Sequence, residues 1–131
     1  MADWQIVRYD PEYSEPLDPE IIPLCDALNA AGFPTTCSCC GHGFSRPFVT
    51  FEHTTDELAE SLARFVMSRE SGDFRAHYTF FQKNITRDGC DWQLNITLTN
   101  ASADVPQDEA LGQAVRAISE VAESVRAWTL R

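Results

Sequence analysis

The segment Asp91-Trp-Gln-Leu-Asn-Ile-Thr-Leu-Thr-Asn100 alternates apolar and polar residues with a period of two. Successive strand side chains point to opposite faces. Trp92, Leu94, Ile96 and Leu98 therefore share one side, and Gln93, Asn95, Thr97 and Thr99 the other. A strand patterned this way needs a core on one face only, which favours an antiparallel sheet over a parallel one covered on both sides. Asp88-Gly89 just before it is a hairpin-turn dipeptide, so Phe74–Ile85 is predicted to be its partner strand. In that partner Phe74, Ala76, Tyr78 and Phe80 fall on one face. Arg75, His77, Thr79, Phe81 and Lys83 fall on the other, where Phe81 is out of keeping with its neighbours.

The rest of the chain supplies the helices and a second strand pair. Asp18-Pro19 are helix-start signals, Ile21, Leu24, Cys25 and Leu28 recur at helical spacing, and Gly32 is placed to end a helix over 20–31. Thr35–Cys39 and Pro47–His53 read as strands on either side of a Gly-His-Gly turn. Thr54-Thr55-Asp56-Glu57 reads as a capping box, with Leu58, Leu62, Phe65 and Val66 on the buried face of the helix it opens and Gly72 closing it. A last helix is expected from Pro106 to Trp128, buried along Leu111, Val115, Ile118, Ala122 and Val125. The element order is then α-β-β-α-β-β-α. It predicts a single α+β domain over 19–131, a four-stranded antiparallel sheet with helices mainly on one face. Residues 1–18 read as an aromatic N-terminal arm and an acidic, Pro-rich linker.

With 131 residues one domain can bury enough surface to fold without staples. Three of five cysteines fall within four positions, too close to bridge one another, which argues for free thiols in a reducing cytoplasm. No apolar run is long enough for a membrane span. A formal charge of −10 removes the counterion-release gain on a phosphate backbone, so direct nucleic-acid binding is not expected.

The chemistry concentrates in Thr36-Cys-Ser-Cys-Cys-Gly-His-Gly43. Glycines at 41 and 43 permit positive φ and can aim successive N–H groups at an anion, with His42 as an added donor or as acid or base. Ser38, Ser45 and Arg46 lie close enough in sequence to complete such a pocket. A second candidate is the hairpin face carrying Arg75, His77, Phe81, Lys83, Gln93 and Asn95, where a ring with amide and cationic neighbours would suit a nucleobase. Zinc is the third. Cys37, Cys40 and His42 have ligand spacings, but they form one knot without the separated second pair of a structural site, so no cofactor is assigned. A thiolate–imidazole pair from Cys39 or Cys40 with His42 lacks an orienting carboxylate, and no catalytic residue is assigned.

Leu28-Asn-Ala-Ala-Gly-Phe33, Thr36, Ser38-Cys-Cys-Gly-His-Gly43 and the strand Pro47–Phe51 together resemble a pattern in short bacterial and phage proteins. That pattern runs L-N-x-x-G-[FY]-x-T, then S-C-x-G-H-G and an aromatic strand. The turn is also distantly similar to the Ser-Ser-Cys-Ser-Gly turn of wybutosine-synthesising tRNA methyltransferases, with histidine in place of their basic residue and a much shorter chain. The phage resemblance implies an anti-defence protein, either a sponge for nucleotide signals like the anti-Thoeris proteins or an acidic inhibitor of CRISPR effectors.

The leading expectation is thus a cytoplasmic, non-enzymatic, homo-oligomeric binder of a phosphorylated small molecule such as a nucleotide signal. Its site would comprise Ser38, Cys39, Gly41, His42, Gly43, Ser45, Arg75, His77, Phe81 and Asn95. The alternatives are an acidic nucleic-acid mimic that blocks a host defence protein, and a small enzyme using His42 as acid or base.

Overall fold

The computed structural model describes residues 18–43, 45–52, 55–70, 77–87, 89–98 and 105–131. A single 3-10 turn, Pro19–Ile21, runs into helix α1 (Ile22–Ala30); strands β1 (Thr35–Cys39) and β2 (Phe48–Phe51) follow. Then come α2 (Asp56–Ser68), β3 (His77–Thr86), β4 (Gly89–Leu98) and α3 (Gln107–Leu130). The order is the predicted α-β-β-α-β-β-α, and every strand pairing is antiparallel. Spatially the sheet runs β1-β2-β4-β3, so β4 returns from the edge to lie against β2.

That return makes the core. Val49 stands opposite Leu94 and Phe51 opposite Trp92 across the central β2–β4 pair. Val49, Phe51, Leu94 and Ile96 are buried in one cluster with Leu24, Leu28, Leu62, Val66, Ile118, Val121 and Val125 of the three helices. Phe33, just past α1, meets the Phe51 ring edge-on at 5.3 Å and 72°, and the Trp128 ring at 5.3 Å and 59°. Trp128 also donates from its indole N–H to Ser61 Oγ at 3.2 Å, which ties the end of α3 to α2. Gly32, at φ +93°, lets the chain leave α1 directly into Phe33, whose N–H donates back to Leu28 O at 2.9 Å.

The register corrects several expectations. His77, Thr79, Phe81 and Lys83 stand opposite Leu98, Ile96, Leu94 and Trp92, so they lie on the helix-covered face. Phe81 packs against the core, and Tyr78, Phe80, Gln82 and Asn84 share the far face with Thr97, Asn95, Gln93 and Asp91. Phenylalanines at both 80 and 81 satisfy either alternation, and the cross-strand partner decides between them. Helix α2 starts one residue later than the capping box implied. Thr55 is the N-cap, its Oγ1 accepting from Leu58 N at 3.2 Å, while Thr54 lies outside the described residues. Its buried face is Ala59, Leu62, Ala63 and Val66, and Leu58 is exposed. Likewise α3 buries Ala110, Ala114, Ala117 and Val121 alongside Ile118, Ala122 and Val125, and turns Val115 to the surface. In both helices alanine lines the close approach, so a stripe drawn only through large apolar residues is rotated off the true one. The arm, residues 1–17, and Gly72 and Phe74–Ala76 lie outside the described residues.

Away from the helices, four amides form a closed circuit. Asn84 Nδ2 donates to Gln93 Oε1 (3.3 Å), Gln93 Nε2 to Asn95 Oδ1 (2.6 Å), Asn95 Nδ2 to Gln82 Oε1 (3.0 Å) and Gln82 Nε2 to Asn84 Oδ1 (2.9 Å). On edge strand β3, Glu70 occupies the free N–H of Thr79 at 3.0 Å and its hydroxyl at 2.8 Å, which blunts that edge against pairing with another chain. No helix of the described residues is long and apolar enough to cross a membrane.

Asp56, in the first turn of α2, receives Lys83 Nζ at 2.7 Å and Trp92 Nε1 at 3.2 Å, joining the helix to the hairpin. The Lys83 contact first, and the Trp92 N–H second, hold its carboxyl below the ordinary aspartate value. A depressed carboxyl adds stability that is fully present above its unfolded value of about 4 and is lost as pH falls through the lower folded value. An NMR titration of Asp56 should show this depression, and Lys83→Met should return the value towards that of a free aspartate. Gly112 sits inside α3 with open space where a Cβ would stand. Gly112→Ala should therefore stabilise the protein by about 0.5–1 kcal/mol in denaturant unfolding, through helix propensity alone.

Candidate functional site

Beyond β1 the chain enters three consecutive left-handed residues, Gly41 (φ +83°), His42 (φ +53°) and Gly43 (φ +83°). A Cβ on Gly41 would collide with the backbone carbonyl of Ser45, and one on Gly43 would lie 2.6 Å from Gln107 O. Both glycines are thus required by close approach as well as by φ. Ser45 N closes the turn onto Gly41 O at 3.0 Å, and Gln107 at the start of α3 donates to His42 O at 2.8 Å. The turn is held at one end of the sheet, wedged against the N-terminus of the longest helix.

Its N–H groups are directed inward. Cys40 N donates to Asp18 Oδ2 at 3.1 Å, Gly41 N to Cys39 Sγ at 3.3 Å and His42 N to Cys40 Sγ at 3.4 Å. The backbone cradle expected from Gly-His-Gly therefore faces two sulfurs and a carboxylate, and the donors of residues 40–42 are engaged within the protein. The imidazole sits between the same groups, with Nδ1 3.7 Å from Cys40 Sγ and Nε2 3.5 Å from Asp18 Oδ2. Its side chain is 60% exposed. Cys40 faces the core at 1% exposure, and burial, with Asp18 nearby, pushes its thiol up to about 11.

The expected site residues separate into three groups. Ser38, Cys39, Gly41, His42, Gly43 and Ser45 belong to the turn or lead into it, although Ser38 is buried opposite Val49 on the helix side. His77 and Phe81 lie on the helix-covered face, with His77 Nδ1 3.4 Å from Glu120 Oε2. Asn95 is on the opposite face, 3% exposed and tied into the amide circuit, so Phe81 and Asn95 do not share a pocket. Arg75 lies outside the described residues. The zinc set Cys37, Cys40 and His42 is not assembled either. Cys37 faces Thr50 on the far face, Cys40 is in the core, and the metal-ligating atoms that converge are those of Asp18, Cys39 and His42, all within 4.8 Å of one another.

Asp18 was legible only as a helix-start residue; its approach to the turn depends on how α1 packs. Another grouping missed in the sequence is Arg46 over Phe80, with the guanidinium carbon 5.1 Å from the ring centroid. Cys39, Phe48, Asn95 and Phe80 form one row across the four strands, on the far face, and Arg46 closes over its end. Compared with known proteins, the chain matches no family model, no curated protein and no solved structure.

The turn makes a sharp demand on Gly41. Gly41→Ala should cost several kcal/mol, about the scale of an overpacked site with a forbidden backbone combined. His42→Gly should be neutral or stabilising, because it removes a side chain from a left-handed position. Denaturant midpoints for the two variants check both expectations.

Proposed function

We propose that the protein is a non-catalytic binder that sequesters a phosphorylated small molecule of the nucleotide class. The ligand would be received at the sheet end where Arg46, Phe80 and the Gly41–Gly43 turn meet. The observation that carries this reading is Arg46. On a chain with 20 acids and 10 bases, no carboxylate among the described residues pairs with it, and its guanidinium is parked on the Phe80 ring. A cation already held in place loses little freedom on meeting a phosphate, and the planar guanidinium can take two phosphate oxygens at once. Phe80 is half-buried and Tyr78, two residues earlier on the same face, is exposed, so aromatic surface for a base adjoins the charge. The resemblance of Leu28–Gly43 to short bacterial and phage proteins is compatible with sequestration.

Isothermal titration calorimetry with cyclic and linear nucleotides tests the proposal. Binding should weaken by about tenfold or more in Arg46→Ala, the loss of one charge-assisted pair, and stay unchanged in Arg116→Ala on the exposed side of α3. No heat from any nucleotide with folded protein would refute it. So would capture of basic polypeptides alone, with an affinity that collapses as salt rises, since that is the behaviour of an acidic mimic.

A further inference from the structure

We infer that Asp18, Cys39 and His42 form a three-donor site for a zinc-class divalent transition-metal ion, open to solvent at its fourth position. The inference stands on geometry and is independent of the nucleotide reading. Carboxylate oxygen, thiol sulfur and imidazole nitrogen converge within 4.8 Å. With Zn–N and Zn–O bonds of about 2.0–2.1 Å, tetrahedral coordination separates its nitrogen and oxygen donors by roughly 3.3 Å. The observed separation of His42 Nε2 and Asp18 Oδ2 is 3.5 Å. The donors come from two distant segments, the entry to α1 and the exit of β1, so the site depends on the folded core.

The surrounding hydrogen bonds are those a metal site requires of its supporting groups. A coordinating imidazole is oriented by a partner on its other nitrogen, and here Nδ1 abuts Cys40 Sγ at 3.7 Å, which leaves Nε2 towards the other donors. A coordinating thiolate is stabilised by N–H donors, and Gly41 N points at Cys39 Sγ. Cys40 N fixes the carboxylate. Cys40 itself is a supporting group and not a ligand, because it is packed in the core. The left-handed path through residues 41–43 goes with an imidazole placed beside Cys39, Cys40 and Asp18. On binding, the Cys39 thiol proton passes to solvent, and thiolate, carboxylate and neutral imidazole leave the dication formally neutralised. Side-chain exposures of 60% for His42 and 24% for Asp18 leave room for water or an anionic ligand as the fourth donor.

The test is titration of the metal-free full-length chain with cobalt(II) and zinc(II), with no nucleotide present. Cobalt should give sulfur-to-metal charge-transfer absorption and the visible bands of tetrahedral coordination, zinc should displace it, and native mass spectrometry should show one ion per chain. Asp18→Asn, Cys39→Ser and His42→Asn should each abolish stoichiometric binding, asparagine being chosen at 42 because it tolerates positive φ. Cys90→Ser, exposed at the opposite end of the sheet, should bind as the parent does. Circular dichroism of each variant identifies any that fails to fold, and only folded variants are scored. Failure of the folded parent to take up cobalt overturns the inference, as does a cobalt–sulfur band that survives Cys39→Ser.

Discussion

The apolar seam where β2 meets β4 is the contact on which the remainder depends. Val49 on Leu94 and Phe51 on Trp92 bring together strands that are remote in sequence, and this pairing converts two local hairpins into one sheet. All three helices bury their inner faces against it. Because Phe51 also carries Phe33, and Phe33 carries Trp128, the same seam sets where α1 ends and where α3 is anchored. The chain's one group of convergent metal-ligating side chains among the described residues follows from that placement, since Asp18 can reach Cys40 only when α1 lies where the seam puts it.

What the sequence disclosed divides along physical lines. The β4 alternation and the Leu24–Leu28 stripe were legible because each segment has one apolar face and no competing pattern. The face of β3 was not, because adjacent phenylalanines make both phases plausible and only pairing with Leu94 or Asn95 separates them. The cap at Thr55 was missed for a similar reason, two threonines in succession offering equivalent hydroxyls. For the site, the Gly-His-Gly turn and its left-handed backbone were readable from residue type. The destination of its N–H groups was not, since Asp18 is contributed by a segment that local patterning marks only as the beginning of a helix.

A sulfur-rich, carboxylate-bearing interior at residues 18–42 attracts cations, while Arg46, a few residues on, is a cation without an acidic partner among the described residues. Two opposite electrostatic demands are thus met within one short connection. His42, in the left-handed region, turns its imidazole to Cys40 and Asp18, whereas Arg46 turns its guanidinium to the Phe80 ring. Such separation lets a strongly acidic protein hold a localised positive group without neutralising it.

The amide circuit of Gln82, Asn84, Gln93 and Asn95 has an implication of a different kind. Every member gives to the next in one rotational sense, so reversing any single carboxamide would set two oxygens or two nitrogens against each other. The four are therefore obliged to turn together or not at all. Asn84 Nδ2 also donates to Asp91 Oδ1 at 3.0 Å, so the reversed circuit would set an amide oxygen against a carboxylate; strands β3 and β4 are fastened in a single sense, and that stiffness underlies the surface beside Phe80.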